Sequence, residues 1–128
     1  MCGWLPIYAS DPRGGNKIGN SARIGPDTGT GWSSVLTNIK NGLSVAKYAQ
    51  PGYWNDGSLL LTPGMGKEAN NNMTPDRFRT QFSAWSVLAF NILLVGNLSA
   101  LDPFVLETWS NPEVVAVNQV SWRVVHVS

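Results

Sequence analysis

Asp56 follows a tryptophan and an asparagine within Gln50-Pro51-Gly52-Tyr53-Trp54-Asn55-Asp56-Gly57-Ser58, so a carboxylate and an aromatic ring arrive together among turn-forming residues. This mixture suits a carbohydrate, which needs a ring face to stack on and acceptors for its hydroxyls. Because Pro51, Gly52, Asn55 and Gly57 bracket the triplet, Trp54-Asn55-Asp56 is expected on a tight turn rather than inside a helix or strand. A second pair, Arg23 and Asp27, lies four residues apart across Gly25-Pro26. On a strand end and turn both could face one pocket, the Arg donating to hydroxyls and the Asp transferring a proton. The bland alternatives are a surface ion pair for Arg23–Asp27 and local backbone hydrogen bonding for Asp56. Of the six tryptophans, Trp85 and Trp32 fit helix core faces, and Trp4 and Trp54 are the ring-stacking candidates.

The elements that must position these groups alternate between strand and helix. Residues 20–25 read as a strand end that would carry Asp27 on the loop beyond it. Trp32, Val35, Leu36 and Ile39 recur at helical spacing and predict a first helix running on to Tyr48, broken near Asn41-Gly42. Leu59-Leu60-Leu61 has the length of a short buried strand. Thr74 as N-cap, Pro75 in the first turn and Asp76 at the positive end of the dipole open a second helix over 74–88. Its stripe of Phe78, Phe82, Trp85 and Leu88/Ala89 is core. Residues 92–95 predict a fully buried strand, and Asp102-Pro103 opens a third helix with Phe104, Val105, Leu106 and Trp109. Buried strands separated by helices indicate parallel β-α units, whose chemistry collects on loops after strand C-termini.

Composition narrows the function. With 128 residues, 43% of them hydrophobic and 13% charged, the chain has the material for one globular unit with a core. A net charge of +1 and nine scattered basic residues provide no footprint for nucleic acid or an anionic membrane. The longest apolar stretch is too short to span a bilayer. The N-terminus lacks the basic start and apolar core of a secretory signal, so the chain reads either as cytosolic or as lacking its true N-terminus. One cysteine, Cys2, and one histidine, His126, cannot build a metal site, a disulfide framework or a Ser-His-Asp constellation, and no cofactor is implied.

Taken in order, these segments resemble the α-galactosidase (melibiase) family of retaining glycoside hydrolases, from Cys2 to Gln119. Cys2-Gly3-Trp4 resembles that family's Cys-x-Trp at the end of barrel strand five, and Asn20-Ser21-Ala22-Arg23-Ile24-Gly25-Pro26-Asp27 its Asn-Ser-Trp-Arg-x-x-x-Asp after strand six. The segment 50–60 resembles its Gly-Pro-Gly-x-Trp-Asn-Asp-Pro-Asp-Met-Leu at strand seven. Leu93 to Asn97 is similar to strand eight, and Asn111-Pro112-Glu113-Val114-Val115-Ala116-Val117-Asn118-Gln119 to its Asn-x-Glu-Val-Ile-Ala-Val-Asn-Gln signature. The resemblance implies an α/β fold, a partial TIM (β/α)8 barrel from the end of strand five through unit eight, over residues 1–119, with residues 120–128 an unmatched tail. It implies Asp27 as general acid/base, Trp4, Arg23, Trp54, Asp56 and Ser58 at the substrate, and a disulfide for Cys2 whose partner is absent. The family has Asp where this chain has Ser58 and Met where it has Leu59.

Retaining glycosidases need two carboxylates about 5 Å apart. The family's nucleophilic Asp belongs to strand four, upstream of Met1. The expected activity is therefore hydrolysis of terminal α-galactosides, carried as a fragment that lacks the nucleophile and whose partners are an α-galactoside and the missing N-terminal half-barrel. The family resemblance also implies a secreted or lysosomal/vacuolar setting. Two other classes compete. Asp27-Thr28-Gly29-Thr30 and Leu93-Leu94-Val95-Gly96 match elements of aspartic proteases, in which two Asp residues share a proton. A non-catalytic carbohydrate-binding fragment would use Trp4 and Trp54.

Overall fold

The computed structural model describes residues 19–29, 31–62 and 73–120. Strand β1 (Ser21–Arg23) leads to helix α1 (Trp32–Val45), which ends in a 3-10 turn over Ala46–Tyr48, and then to β2 (Trp54–Asp56) and β3 (Leu60–Leu61). Helix α2 (Pro75–Val87), β4 (Leu94–Val95), α3 (Pro103–Trp109) and α4 (Pro112–Gln119) follow. β1 pairs in parallel with β2, and β3 in parallel with β4. Each parallel pair is joined by a crossover that contains a helix, as parallel strands require.

The starts of α2, α3 and α4 share one device. Thr74, Asp102 and Asn111 are each followed by proline, and each side chain accepts from the first turn: Thr74 Oγ1 from Arg77 N at 3.4 Å, Asp102 Oδ1 from Phe104 N at 2.8 Å, Asn111 Oδ1 from Glu113 N at 3.0 Å. The proline occupies a position whose N–H has no intrahelical partner anyway. The expected starts of α2 and α3 are thus observed, and α4 adds a helix over residues that the sequence reading had treated as a motif alone.

Phe78, Phe82, Trp85 and Leu88 are buried as the stripe on α2 predicts, and they meet Val35, Leu60, Val105 and Trp109 in the core. Phe78 stacks on Trp109 with centroids 5.6 Å apart, and Trp85 meets Phe90 edge-on at 5.3 Å. α2 ends by a Schellman-type turn: Ala89 N donates to Ser86 O at 3.2 Å and Phe90 N to Trp85 O at 2.9 Å. Ala89 holds a φ of 53°, where glycine is usual. The turn drives the Phe90 ring into the core.

Three local expectations need correction. Trp54-Asn55-Asp56 is a strand, not a turn: the turn is spent just before it, where Gln50 and Tyr53 bridge across Pro51-Gly52. Asn55, unexpected in a strand, is buried with its Nδ2 donating to Val45 O at 3.0 Å. Secondly, α1 runs unbroken through Asn41-Gly42. Gly42 is there for close approach, since a Cβ on it would overlap the Phe90 ring, and the same ring abuts Gly57 on its other side. Thirdly, the expected buried strand over 92–95 is reduced to Leu94–Val95, with Leu93 and Leu94 exposed. Among the described residues β4 pairs with β3 alone, so its other edge carries no strand.

Filling the space beside Phe90 should be costly. Gly42→Ala is expected to destabilise the chain by about 1–3 kcal/mol through overpacking, read as a lowered urea midpoint at unchanged slope. A neutral result would show that the ring can withdraw.

Candidate functional site

β1 and β2 are aligned so that Arg23 and Asp56 are register partners at the C-terminal ends of their strands. The chain continues from Arg23 into the bend Gly25-Pro26 and presents Asp27 beside them. Arg23 NH2 donates to Asp27 Oδ1 at 2.8 Å, and its Nε lies 3.9 Å from Asp56 Oδ2. One guanidinium therefore stands between two carboxylates, and a fork of donors suits that role. The two acids differ in setting. Asp27's side chain is 85% exposed, whereas Asp56's is 14% exposed and its Oδ1 accepts from Ser58 N at 2.7 Å.

The bend that carries Asp27 is fixed from below. Thr28 is buried, its N–H donates to Ser58 Oγ at 3.0 Å, and its hydroxyl donates to Gly57 O at 3.2 Å while accepting from Asn38 Nδ2 at 2.9 Å. Gly29 N donates to Ser34 Oγ at 2.7 Å. Ser58 is also buried and has a φ of 76°. That backbone costs a non-glycine residue about 1–2 kcal/mol. Its carbonyl accepts from the Trp85 indole N–H at 3.1 Å.

Of the residues expected at the site, Arg23, Asp27 and Asp56 are brought together. Ser58 lies beneath them, its hydroxyl engaged with Thr28 rather than turned to the surface. Trp54 is half-buried and lines a cavity of about 490 Å³ together with Ala89, Phe90, Asn91, Ile92, Leu93 and the end of α4. Trp54 begins β2 and Leu93 precedes β4, so this cavity opens at the N-terminal ends of the strands, opposite the carboxylates. Trp4 and Cys2 lie outside the described residues. A single cysteine cannot close a disulfide within the chain, and the disulfide that the resemblance implied has no support.

Sequence reasoning missed Asn38 and Thr28. The signal for Asn38 was an amide on the apolar stripe of α1, between Val35 and Gly42, where it is 0% exposed. A polar group at such a position needs partners, and its Nδ2 finds them in Thr28 Oγ1 and, at 3.4 Å, Pro26 O.

Against known proteins, the family model described as alpha galactosidase A matches residues 11–120. The chain belongs to the alpha-galactosidase family. It is 35% identical over 120 residues to the alpha-galactosidase of Cyamopsis tetragonoloba, covering 93% of this chain and 27% of the relative. Alpha-galactosidase 2 of Arabidopsis thaliana is 35% identical over 102 residues, 80% of this chain and 24% of that protein. Alpha-galactosidase I from Mortierella vinacea superposes with a TM-score of 0.72 at 25% identity, covering 83% of this chain and 30% of that structure. The chain thus spans about a quarter of the length of the relatives it matches. The aspartic-protease and binding-fragment alternatives gain nothing from these alpha-galactosidase relationships. No described helix is long and apolar enough to cross a membrane.

The two acids should respond differently to removal. Asp56→Ala leaves the Ser58 N–H without its acceptor and should cost about 1–3 kcal/mol. Asp27→Ala touches an exposed group and should stay within about 0.5 kcal/mol. Equal losses in denaturant titrations of the two variants would contradict the division of roles.

Proposed function

We propose that this chain carries the proton-donating side of a retaining α-galactosidase site, with Asp27 as general acid/base. The observation that supports the reading best is the Arg23 bridge: it sets an exposed carboxylate and a sheltered one at the C-terminal ends of parallel, register-paired strands in an alpha-galactosidase family chain. Arg23 and Asp56 belong to the substrate side, the family resemblance adds Trp4, and Ser58 supports it from below, whereas Trp54 faces the cavity at the opposite ends of the strands. The substrate is a terminal α-galactoside.

In this reading the chain is part of a (β/α)8 barrel, roughly the end of strand five through unit eight, with residues 1–119 belonging to the barrel and 120–128 to a tail. Such a barrel takes roughly 250 residues, and a retaining mechanism needs its second carboxylate about 5 Å from the first. The nucleophile is supplied by sequence outside this chain, the other half of the barrel. The exposed Leu93 and Leu94 and the cavity beside Trp54 are surfaces that this remainder would cover. The setting is secreted or lysosomal/vacuolar.

In the proposed reaction Asp27, protonated, gives its proton to the glycosidic oxygen as the nucleophile attacks the anomeric carbon. As the carboxylate it then takes a proton from the water that releases the sugar. Its exposure leaves room for both the leaving group and that water, and the Arg23 hydrogen bond holds one oxygen in a fixed direction.

The experiment is co-expression of the full chain with the part of the Cyamopsis tetragonoloba relative that precedes the matched region. The pair is expected to hydrolyse an aryl α-galactoside, and Asp27→Asn to lower kcat by about 100-fold or more, the usual contribution of a general acid. Activity indifferent to Asp27→Asn, or peptidase activity sensitive to a pepstatin-type inhibitor, would overturn the proposal.

A further inference from the structure

We propose that Ser58 is the positioning residue of the Asp27 loop, an inference that rests on reading Asp27 as the proton donor. The three polar groups of Ser58 reach three parts of the site: its N–H donates to Asp56 Oδ1 at the end of β2, its carbonyl accepts from Trp85 Nε1 of α2, and its hydroxyl accepts from Thr28 N beside Asp27. The backbone there is left-handed, with φ 76°, a conformation that favours glycine. A serine kept in a glycine conformation has its hydroxyl as its distinguishing feature, and that hydroxyl is 3.0 Å from the Thr28 nitrogen.

The result is a loop gripped on both flanks of Asp27 while the carboxylate itself stays out. Asn38 Nδ2 holds Pro26 O and Thr28 Oγ1, and Ser58 holds Thr28 N. Thr28 is 5% exposed against 85% for the Asp27 side chain. A proton donor needs this combination, because a misplacement of about 1 Å can cost a 100-fold loss of rate. The resemblance puts an aspartate at position 58; in this chain the serine turns inward, and its work is done through Thr28 rather than at the sugar.

The test uses the full chain, isotopically labelled, with Ser58→Gly and Ser58→Asn. Glycine relieves the left-handed strain at position 58, which offsets the loss of the acceptor for the buried Thr28 N–H, so Ser58→Gly should fold with an unfolding midpoint near the parent's, yet the Thr28 amide should exchange about 10-fold faster or more as local opening becomes easier. Asparagine tolerates the same conformation and carries a carbonyl acceptor, so Ser58→Asn should restore much of the protection. Thr28 exchange that is unchanged in Ser58→Gly, or that follows global stability alone, overturns the proposal. In the co-expressed pair, Ser58→Gly should lower kcat about 10-fold with KM nearly constant. An unchanged kcat with Thr28 protection lost would also overturn it. If the parent pair is inactive while Thr28 protection still follows Ser58, the glycosidase reading fails and the loop-positioning role of Ser58 stands.

Discussion

The indole N–H of Trp85 donates to Ser58 O, and this bond fastens the helical layer to the strand-end turn on which the site stands. Trp85 is fully buried, so its N–H must find an acceptor inside the protein, and the carbonyl it finds belongs to the residue that also holds Asp56 and Thr28. A hydrophobic contact could have packed α2 against the sheet in several registers. A directional bond from a large ring allows one. Phe90, edge-on to the same indole, then fills the notch between Gly42 and Gly57, which fixes α1 against that turn as well. The apolar core and the polar site are therefore one construction, joined at Trp85 and Ser58.

Much of this was legible where a residue's own chemistry decides its place. The N-caps Thr74 and Asp102 with their following prolines, and the stripe of Phe78, Phe82 and Trp85, follow from local rules that tertiary context did not override. Legibility failed where a distant residue decides. Gly42 breaks helices in isolation, but here its missing side chain admits the Phe90 ring from 48 positions further along, a reason no window around Gly42 contains. Asn55 argues for a turn until Val45 O is available to its amide. The α4 start carries the same local signal, Asn111-Pro112-Glu113, as the other two helices.

At the site, spacing paired Arg23 with Asp27 and the family resemblance added Asp56, while the register that sets Asp56 beside Arg23 comes from the parallel pairing of β1 with β2. Beneath it, Thr28 and Asn38 were not readable in the same way. Each is a polar side chain whose significance lies in burial, 5% and 0% exposed, and burial depends on the whole packing. The amide of Asn38 was at least anomalous on its helix face, whereas Thr28 in a loop carried no such mark.

The two ends of the strands differ in what they ask of the chain. At the C-terminal ends, the loops after β1 and β2 are tied down by hydrogen bonds to buried side chains, yet they leave Asp27 in solvent. At the N-terminal ends, Trp54, Leu93 and the end of α4 line an open cavity, and Asn118 Nδ2 spends its donors on Phe90 O at 2.9 Å and Trp85 O at 3.5 Å. One end thus has its polar groups organised around a surface carboxylate, and the other leaves Trp54, Leu93 and Leu94 partly open among the described residues. In a barrel the first arrangement belongs to chemistry and the second to stability. With Asp27 as the proposed acid, its loop would keep its preorganisation independently of closure, because the hydrogen bonds that hold it among the described residues are made between residues 23 and 85 of this chain. What closure would add is dryness: a lower local dielectric around Arg23 and the two carboxylates, which strengthens the interactions already in place.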